Sequence, residues 1–304
     1  MRKAVVDVGS NSVLLVVGEM FSGRLKVVHE ETRVTGLGAG VRATGRLSDE
    51  GIQWTLEALR DFFHSAESHG ALETIARATM AARIATNRDT FLQMAADQAT
   101  PVKILSGEEE AELGFRSVSD DEAFFGESRI AIIDPGGNST ELVLAEKMES
   151  EWQVGFRKSF AIGTLGLRDG LLGDESPNPD SLLRAVAEID AAIGEVPALN
   201  KGTAVVLGAS GTNLVTLKKK LALWDPHLVH GERLEYEEIG RAVGWLSAMT
   251  DAQRASLVGL EKGREKTIHL GALILERFMH AIRVEQVTVS VRGWRHALLK
   301  SLFS

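Results

Sequence analysis

Residues 130–144 read IAIIDPGGNSTELVL. An apolar run closes on Asp134, a turn of Pro135, Gly136, Gly137, Asn138, Ser139 and Thr140 follows, and the strand-like pattern resumes from Glu141 to Leu144. This predicts strand, tight turn, strand, since glycine tolerates the positive φ that short turns use. A turn built only to reverse the chain needs neither so many small hydroxyl and amide side chains nor acids on both flanks. Asp134 and Glu141 bracket a set of donors suited to phosphate and a metal ion. The same pattern occurs once more near the N-terminus, and that repetition decides the fold.

Residues 4–7 (AVVD) are again an apolar run ending in an aspartate, followed by Gly9, Ser10, Asn11 and Ser12 and by a second apolar run, 13–18 (VLLVVG). The step from Asp7 to Gly9 equals that from Asp134 to Gly136, and each turn carries an asparagine and a serine soon after its glycine. Two copies about half a chain apart predict a duplicated unit with one phosphate loop per domain. Successive backbone N–H groups in such turns converge on one centre as an anion nest, and serine and asparagine side chains add donors. A third glycine-rich segment, residues 208–213 (GASGTN), follows a strand expected at 203–207. It feeds a helix expected at 214–221, whose first N–H groups would also face an anion.

Strands alternate with helices throughout, which predicts an α/β fold. Further strands are expected at 72–76, 102–105, 153–160 and 287–291, and helices at 48–70, 181–193, 237–249, 267–281 and 293–302, with Asn87 as the cap of another. Residues 176–180 (SPNPD) read as a loop. Arg83 lies just past a strand end, where open α/β sheets place ligand contacts. Ser106 opens a helix whose first turn holds Glu108, Glu109 and Glu110, acids that complement the helix dipole and often serve as caps. A seam near 121–128 divides the chain into domains 1–124 and 125–304, with a terminal helix at about 294–304 expected to pack back on the first.

Composition narrows the function. A chain of 304 residues with 44% hydrophobic and 25% charged residues suits two globular domains. A net charge of −8 argues against a nucleic-acid polymer as partner, which selects for a basic face. There are no cysteines, which removes disulfides and thiolate metal sites. The start MRKAVVDVGSNS turns polar too early for a secretory leader, and no run reaches the ~20 apolar residues of a membrane span. The expectation is a cytoplasmic protein with no membrane partner.

The assembly resembles the actin, hexokinase and heat-shock chaperone superfamily, in which two ribonuclease-H-like domains enclose a cleft. Within it the chain is similar to the exopolyphosphatase and guanosine pentaphosphate phosphohydrolase family, in a short two-domain form. The carriers are VVDVGSNSVLLVV at 5–17, ATMAARIATN at 78–87, LSGEEEAELGF at 105–115, IIDPGGNSTELVL at 132–144, SFAIGTLGL at 159–167, VVLGASGTNL at 205–214 and VSVRGWRHALL at 289–299.

The resemblance implies hydrolysis of a terminal phosphoanhydride of inorganic polyphosphate, with Mg2+ or another divalent cation. Guanosine pentaphosphate is the alternative substrate, and homodimerisation a family-level expectation. A non-catalytic polyphosphate-binding or nucleotide-binding regulator, or an actin-fold ATP-binding protein, is the alternative of another class. By motif, Glu110 matches the base that activates water, and Asp134 and Glu141 match the acidic pair serving metal and water, with Asp7 as a further metal ligand. Arg83, Ser10, Asn11, Ser12, Gly136, Gly137, Asn138, Ser139, Gly208, Ser210 and Gly211 match the phosphate-binding set. Pro135 stands where a small aliphatic residue is usual and Asn138 where a glycine is. Gly166 lies where an arginine often follows, and Arg168 is read as a substitute for that charge.

Overall fold

The computed structural model describes residues 1–149, 151–172 and 176–303. The chain divides into two compact units, Met1–Ser117 with Trp294–Ser304, and Val118–Gly293.

The first unit is built on a five-stranded sheet in the order β3-β2-β1-β4-β5, with β1 Arg2–Val8, β2 Ser12–Phe21, β3 Arg24–Val34, β4 Ala71–Ala78 and β5 Val102–Ile104. The first three strands pair antiparallel, while β4 joins β1, and β5 joins β4, in parallel. Successive side chains of a strand face opposite sides, so β1 serves two cores. Ala4, Val6 and Val8 meet Ile52, Leu59 and Phe62 of the helix Asp49–Ser68. Val5 and Val16 meet Trp294 and Leu299 of the terminal helix Trp294–Ser301. That helix is further held where Arg295 and His296 both donate to the Glu30 carboxylate. A central strand buried on both faces has to be apolar throughout, which is why residues 4–8 alternate nothing but Ala, Val and one aspartate.

The second unit repeats the plan. Its sheet runs β10-β11-β9-β6-β7-β8, with β6 Arg129–Pro135, β7 Thr140–Met148, β8 Glu151–Phe160, β9 Thr203–Val206, β10 Arg233–Glu235 and β11 Gln286–Val289. Strands β6, β7 and β8 pair antiparallel, and β9 and β11 follow β6 in parallel, so β6 stands where β1 stands in the first unit. Among the described residues the edge strand β10 has no counterpart there. Ile133, Leu142 and Phe160 pack with Ile189, Leu214, Ile274 and Phe278 from the covering helices.

The structure differs from the sequence reading in several places. The second unit starts at Val118, ahead of the 124/125 seam, because Asp121 is buried at 3.4 Å from both His230 and Arg292, and Phe124 meets the His230 ring edge-on. Asn87 precedes a helix but does not cap it; its amide instead accepts from Leu47 N–H and donates to Leu47 O. The segment 208–213 is the opening of the helix Gly208–Lys219 rather than a loop before it. The expected loop at 176–180 gives way at Asn178, which caps the helix Pro179–Ile193 by accepting from Ser181 N–H. Among the described residues no helix is long and apolar enough to cross a membrane.

Candidate active site

The two loops are built alike to the level of single hydrogen bonds. Gly9 N–H donates to Ser12 O at 2.9 Å, and Gly136 N–H donates to Ser139 O at 2.8 Å. A Cβ on either glycine would stand 2.9 Å from that same carbonyl oxygen, so close approach of backbone, not positive φ, requires glycine here. Each loop is tied from behind by the segment after its third strand. Thr35 and Gly36 N–H donate to Asn11 O, and Gly38 N–H to Ser10 O. In the second unit Thr164 N–H donates to Gly136 O and Leu165 N–H to Gly137 O. Gly163 lies so near that a Cβ there would come within 2.5 Å of Gly137 O. A peptide whose carbonyl is turned inward presents its N–H outward, which leaves the donor side of each loop to a ligand.

The side chains follow suit. Ser10, Asn11, Ser12, Asn138 and Ser139 are all buried. Asn11 Nδ2 and Ser12 Oγ are buried with no hydrogen-bond partner among the described residues, an arrangement native structures rarely leave without a ligand or water.

Strand register separates the copies. Asp134 stands directly opposite Glu141 across β6 and β7, whereas Asp7 stands opposite Leu14 across β1 and β2. Directly opposed residues share a sheet face, so the second copy places two carboxylates side by side. Glu141 also accepts from Ser159 Oγ at 2.6 Å. Two like charges opposed on one face repel each other, and a cation relieves that repulsion. Among the described residues no group of three His, Asp or Glu side chains gathers to hold a metal. A donor set of one or two carboxylates still fits Mg2+, which keeps several waters and takes its other oxygens from phosphate.

The third segment opens against this pair. Gly208 has φ +75°, and a Cβ there would lie 2.8 Å from Asp134 Oδ1, so both backbone and space demand glycine. Gly211 abuts Val206 and Ser210 abuts Gly271, so what this helix offers a ligand is its first N–H groups.

The first unit holds a buried carboxylate next to a cation of its own. The three glutamates at 108–110 have separate fates. Glu109 closes a capping box, accepting from Ser106 N–H at 2.7 Å while its own N–H donates to Ser106 Oγ, and this hydrogen bonding holds its carboxyl below the usual range. Glu108 is exposed. Glu110 alone is buried, at 9% exposure, with Arg83 Nη1 at 3.5 Å. Arg83 sits on the short helix Met80–Ile84 and also donates to Leu105 O at 2.7 Å, which fixes it beside Glu110.

Arg168 departs from the role read for it. It is buried and engaged with Asp251 and with Lys266 O, so its charge is held inside the second unit rather than offered to a phosphate. Gly163 and Ser159 were within the motif at 159–167 but carried no separate signal; only the packing behind the loop reveals them.

Comparison with known proteins places the whole chain. The model of the Ppx/GppA phosphatase family matches residues 16–304. Exopolyphosphatase 2 of Mycobacterium tuberculosis is 33% identical, the match covering 95% of this chain and 94% of that protein. The guanosine-5'-triphosphate,3'-diphosphate pyrophosphatase of Aeromonas salmonicida is 29% identical over 98% of this chain and 59% of its own length. Among solved structures, the Aquifex aeolicus member of the Ppx/GppA family superposes with a TM-score of 0.78 at 26% identity, covering 100% of this chain and 97% of that one. An exopolyphosphatase-like protein reaches a TM-score of 0.90 at 25% identity, covering 99% and 97%. Matched loops, a doubled sheet plan and a family model spanning nearly all its residues together make this chain a member of the Ppx/GppA phosphatase family.

Proposed function

We propose that the protein hydrolyses the terminal phosphoanhydride bond of inorganic polyphosphate, releasing orthophosphate. The observation that carries this reading is the pair of like-built donor loops, with Asn11 Nδ2 and Ser12 Oγ buried and without a partner among the described residues, together with a buried glutamate in one unit and an acidic pair in the other. Phosphoryl transfer asks little covalent chemistry of a protein; it asks for positioned phosphates, a held water and neutralised charge.

In this reading the N–H groups and side chains at 9–12 and 136–139, with the first turn of the helix Gly208–Lys219, bind phosphate oxygens. Arg83 adds a cation to the phosphate and orients Glu110. Glu110 accepts the proton of the attacking water, and the leaving chain departs with the bridging oxygen. Asp134 and Glu141 are the residues that would hold Mg2+ or another divalent cation, which supplies charge neutralisation to the phosphates when bound, whereas Asp7 stands opposite Leu14 rather than a second carboxylate. A cytoplasmic location and a homodimer are parts of the proposal.

Guanosine pentaphosphate is the second reading, favoured by the similarity to the Aeromonas pyrophosphatase. Orthophosphate release from polyphosphate, guanosine pentaphosphate and ATP, each with and without Mg2+, decides among them. Release fastest from polyphosphate and dependent on Mg2+ supports the proposal. Faster release from guanosine pentaphosphate shifts the substrate. Tight polyphosphate binding without release identifies a regulator, and turnover confined to ATP identifies an ATPase.

A further inference from the structure

Behind the second loop lies a buried ionic network that the chemistry above does not use. Arg168 follows the short helix Thr164–Leu167, whose Thr164 and Leu165 N–H groups hold the carbonyls of Gly136 and Gly137. Its guanidinium spans two directions, donating through Nη2 to Asp251 Oδ2 at 2.8 Å and through Nη1 to Lys266 O at 2.7 Å. Asp251 also accepts from Arg254, which is fully buried and donates to Leu246 O, Met249 O and Glu265 O. Burial alone would raise the Asp251 carboxyl, but the two guanidiniums hold it below its usual range.

Glu265 and Lys266 lead into the helix Ile268–Ile282, and its first turn carries Gly271. A Cβ at Gly271 would lie 2.3 Å from Ser210 Oγ and 3.6 Å from Thr164 Cγ2. That turn is therefore wedged between the segment behind the second loop and the start of the helix Gly208–Lys219. Arg168 is the tie across the wedge: one end of it belongs to the loop's backing, and the group it grips is the carbonyl just ahead of the helix that seats Ser210. A planar guanidinium bonds two acceptors at fixed angles, which a lysine ammonium cannot reproduce.

We propose that Arg168 is a positioning residue that, through Asp251 and Lys266 O, holds the second phosphate loop and the Gly208 helix start in register on the same phosphate group. The inference rests on the hydrolase reading for its substrate. Because the loops bind phosphate in ground and transition states alike, loss of register raises KM with little change in kcat.

The test compares wild type, Arg168→Met and Arg168→Lys in polyphosphate hydrolysis, together with the Arg168→Met/Asp251→Asn double variant and thermal unfolding of each. The expected result is a KM raised at least tenfold in Arg168→Met with kcat within threefold, and partial recovery in Arg168→Lys. The double variant should be no worse in KM than Arg168→Met, since both changes cut one tie. Should Arg168→Met not fold, Arg168→Lys carries the comparison with an intermediate KM. Calorimetric binding of tripolyphosphate to wild type and Arg168→Lys repeats the test without turnover, so a protein that hydrolyses nothing would sink the hydrolase reading and leave the register claim still measurable. A lowered melting temperature with unchanged KM and unchanged tripolyphosphate binding overturns the inference, as does a fall in kcat at constant KM or an additive double variant.

Discussion

The loops at 7–14 and 134–141 share strand register, internal hydrogen bond and glycine requirement, and they differ at the residue opposite the aspartate: Leu14 in one, Glu141 in the other. The shared part consists of backbone donors and small polar side chains, which is what the proposed phosphate binding asks for. The differing part places two opposed carboxylates in the second copy alone, which is where the proposal puts the metal. The first unit holds its carboxylate elsewhere, on a different element, as Glu110 beside Arg83. Under the proposed function this duplicated scaffold divides into a half that activates water and a half that manages cationic charge.

The strongest way to break this division is at Glu110. Glu110→Gln keeps the size and removes the base, so turnover should fall by about 10²–10⁴-fold while polyphosphate binding by calorimetry stays within a few-fold of wild type. A variant with near wild-type rate would remove Glu110 from the reaction. Next comes Glu141→Leu, which rewrites the second loop as the first. We expect the Mg2+ concentration for half-maximal activity to rise more than tenfold, whereas the mirror change Leu14→Glu should leave that value unlowered; equal metal response in both would erase the distinction. Chelation of divalent cations should abolish wild-type turnover.

Smaller and symmetric effects are expected from Gly9→Ala and Gly136→Ala. In each the new methyl meets a backbone carbonyl at 2.9 Å, and overpacking of this kind costs about 1–3 kcal/mol. Urea midpoints should drop in both variants; a drop in only one would show that the loops are not equivalent in construction.

Acid should distinguish the units more subtly. Burial first, then the Arg254 guanidinium, pushes His269 in the second unit down to about 3 from 6.5. The unfolded chain then binds a proton that the folded chain refuses, so this stability is complete above pH 6.5 and is lost as pH falls toward about 3, at about 1.4 kcal/mol per pH unit. In the first unit, burial raises Glu30, but the His296 hydrogen bond and the Arg295 charge overcome it and bring the carboxyl to about 2. Its stabilisation is present above 4.5 and lost only between 4.5 and about 2. Unfolding free energies between pH 7 and pH 5 should therefore decline in wild type and decline less steeply in His269→Gln.

Much of this was legible because the chemistry of the loops is local. Asp, glycine, asparagine and serine at fixed spacing, flanked by apolar runs, announce strand-turn-strand wherever they occur, and the second occurrence supplied the duplication. What stayed hidden depends on distant partners. The amide of Asn87 reads as a cap, but its partner, Leu47, lies 40 residues away. Gly208 reads as loop because glycines weaken helices, yet here its positive φ and contact with Asp134 make it the place where a helix begins. Arg168 reads as a substitute for the family's arginine charge until Asp251, 83 residues on, is seen beside it. Among Glu108, Glu109 and Glu110 the sequence offers three equal candidates by chemistry; burial and the capping box separate them, and only the family resemblance had singled out the last.

The central claim, water attacking the terminal phosphorus with Glu110 as base, is tested most directly by hydrolysis of polyphosphate in 18O-labelled water. Each orthophosphate released by the wild-type protein should carry one 18O atom, and release should be lost in Glu110→Gln. Unlabelled orthophosphate, with the label instead on the shortened chain, would contradict it.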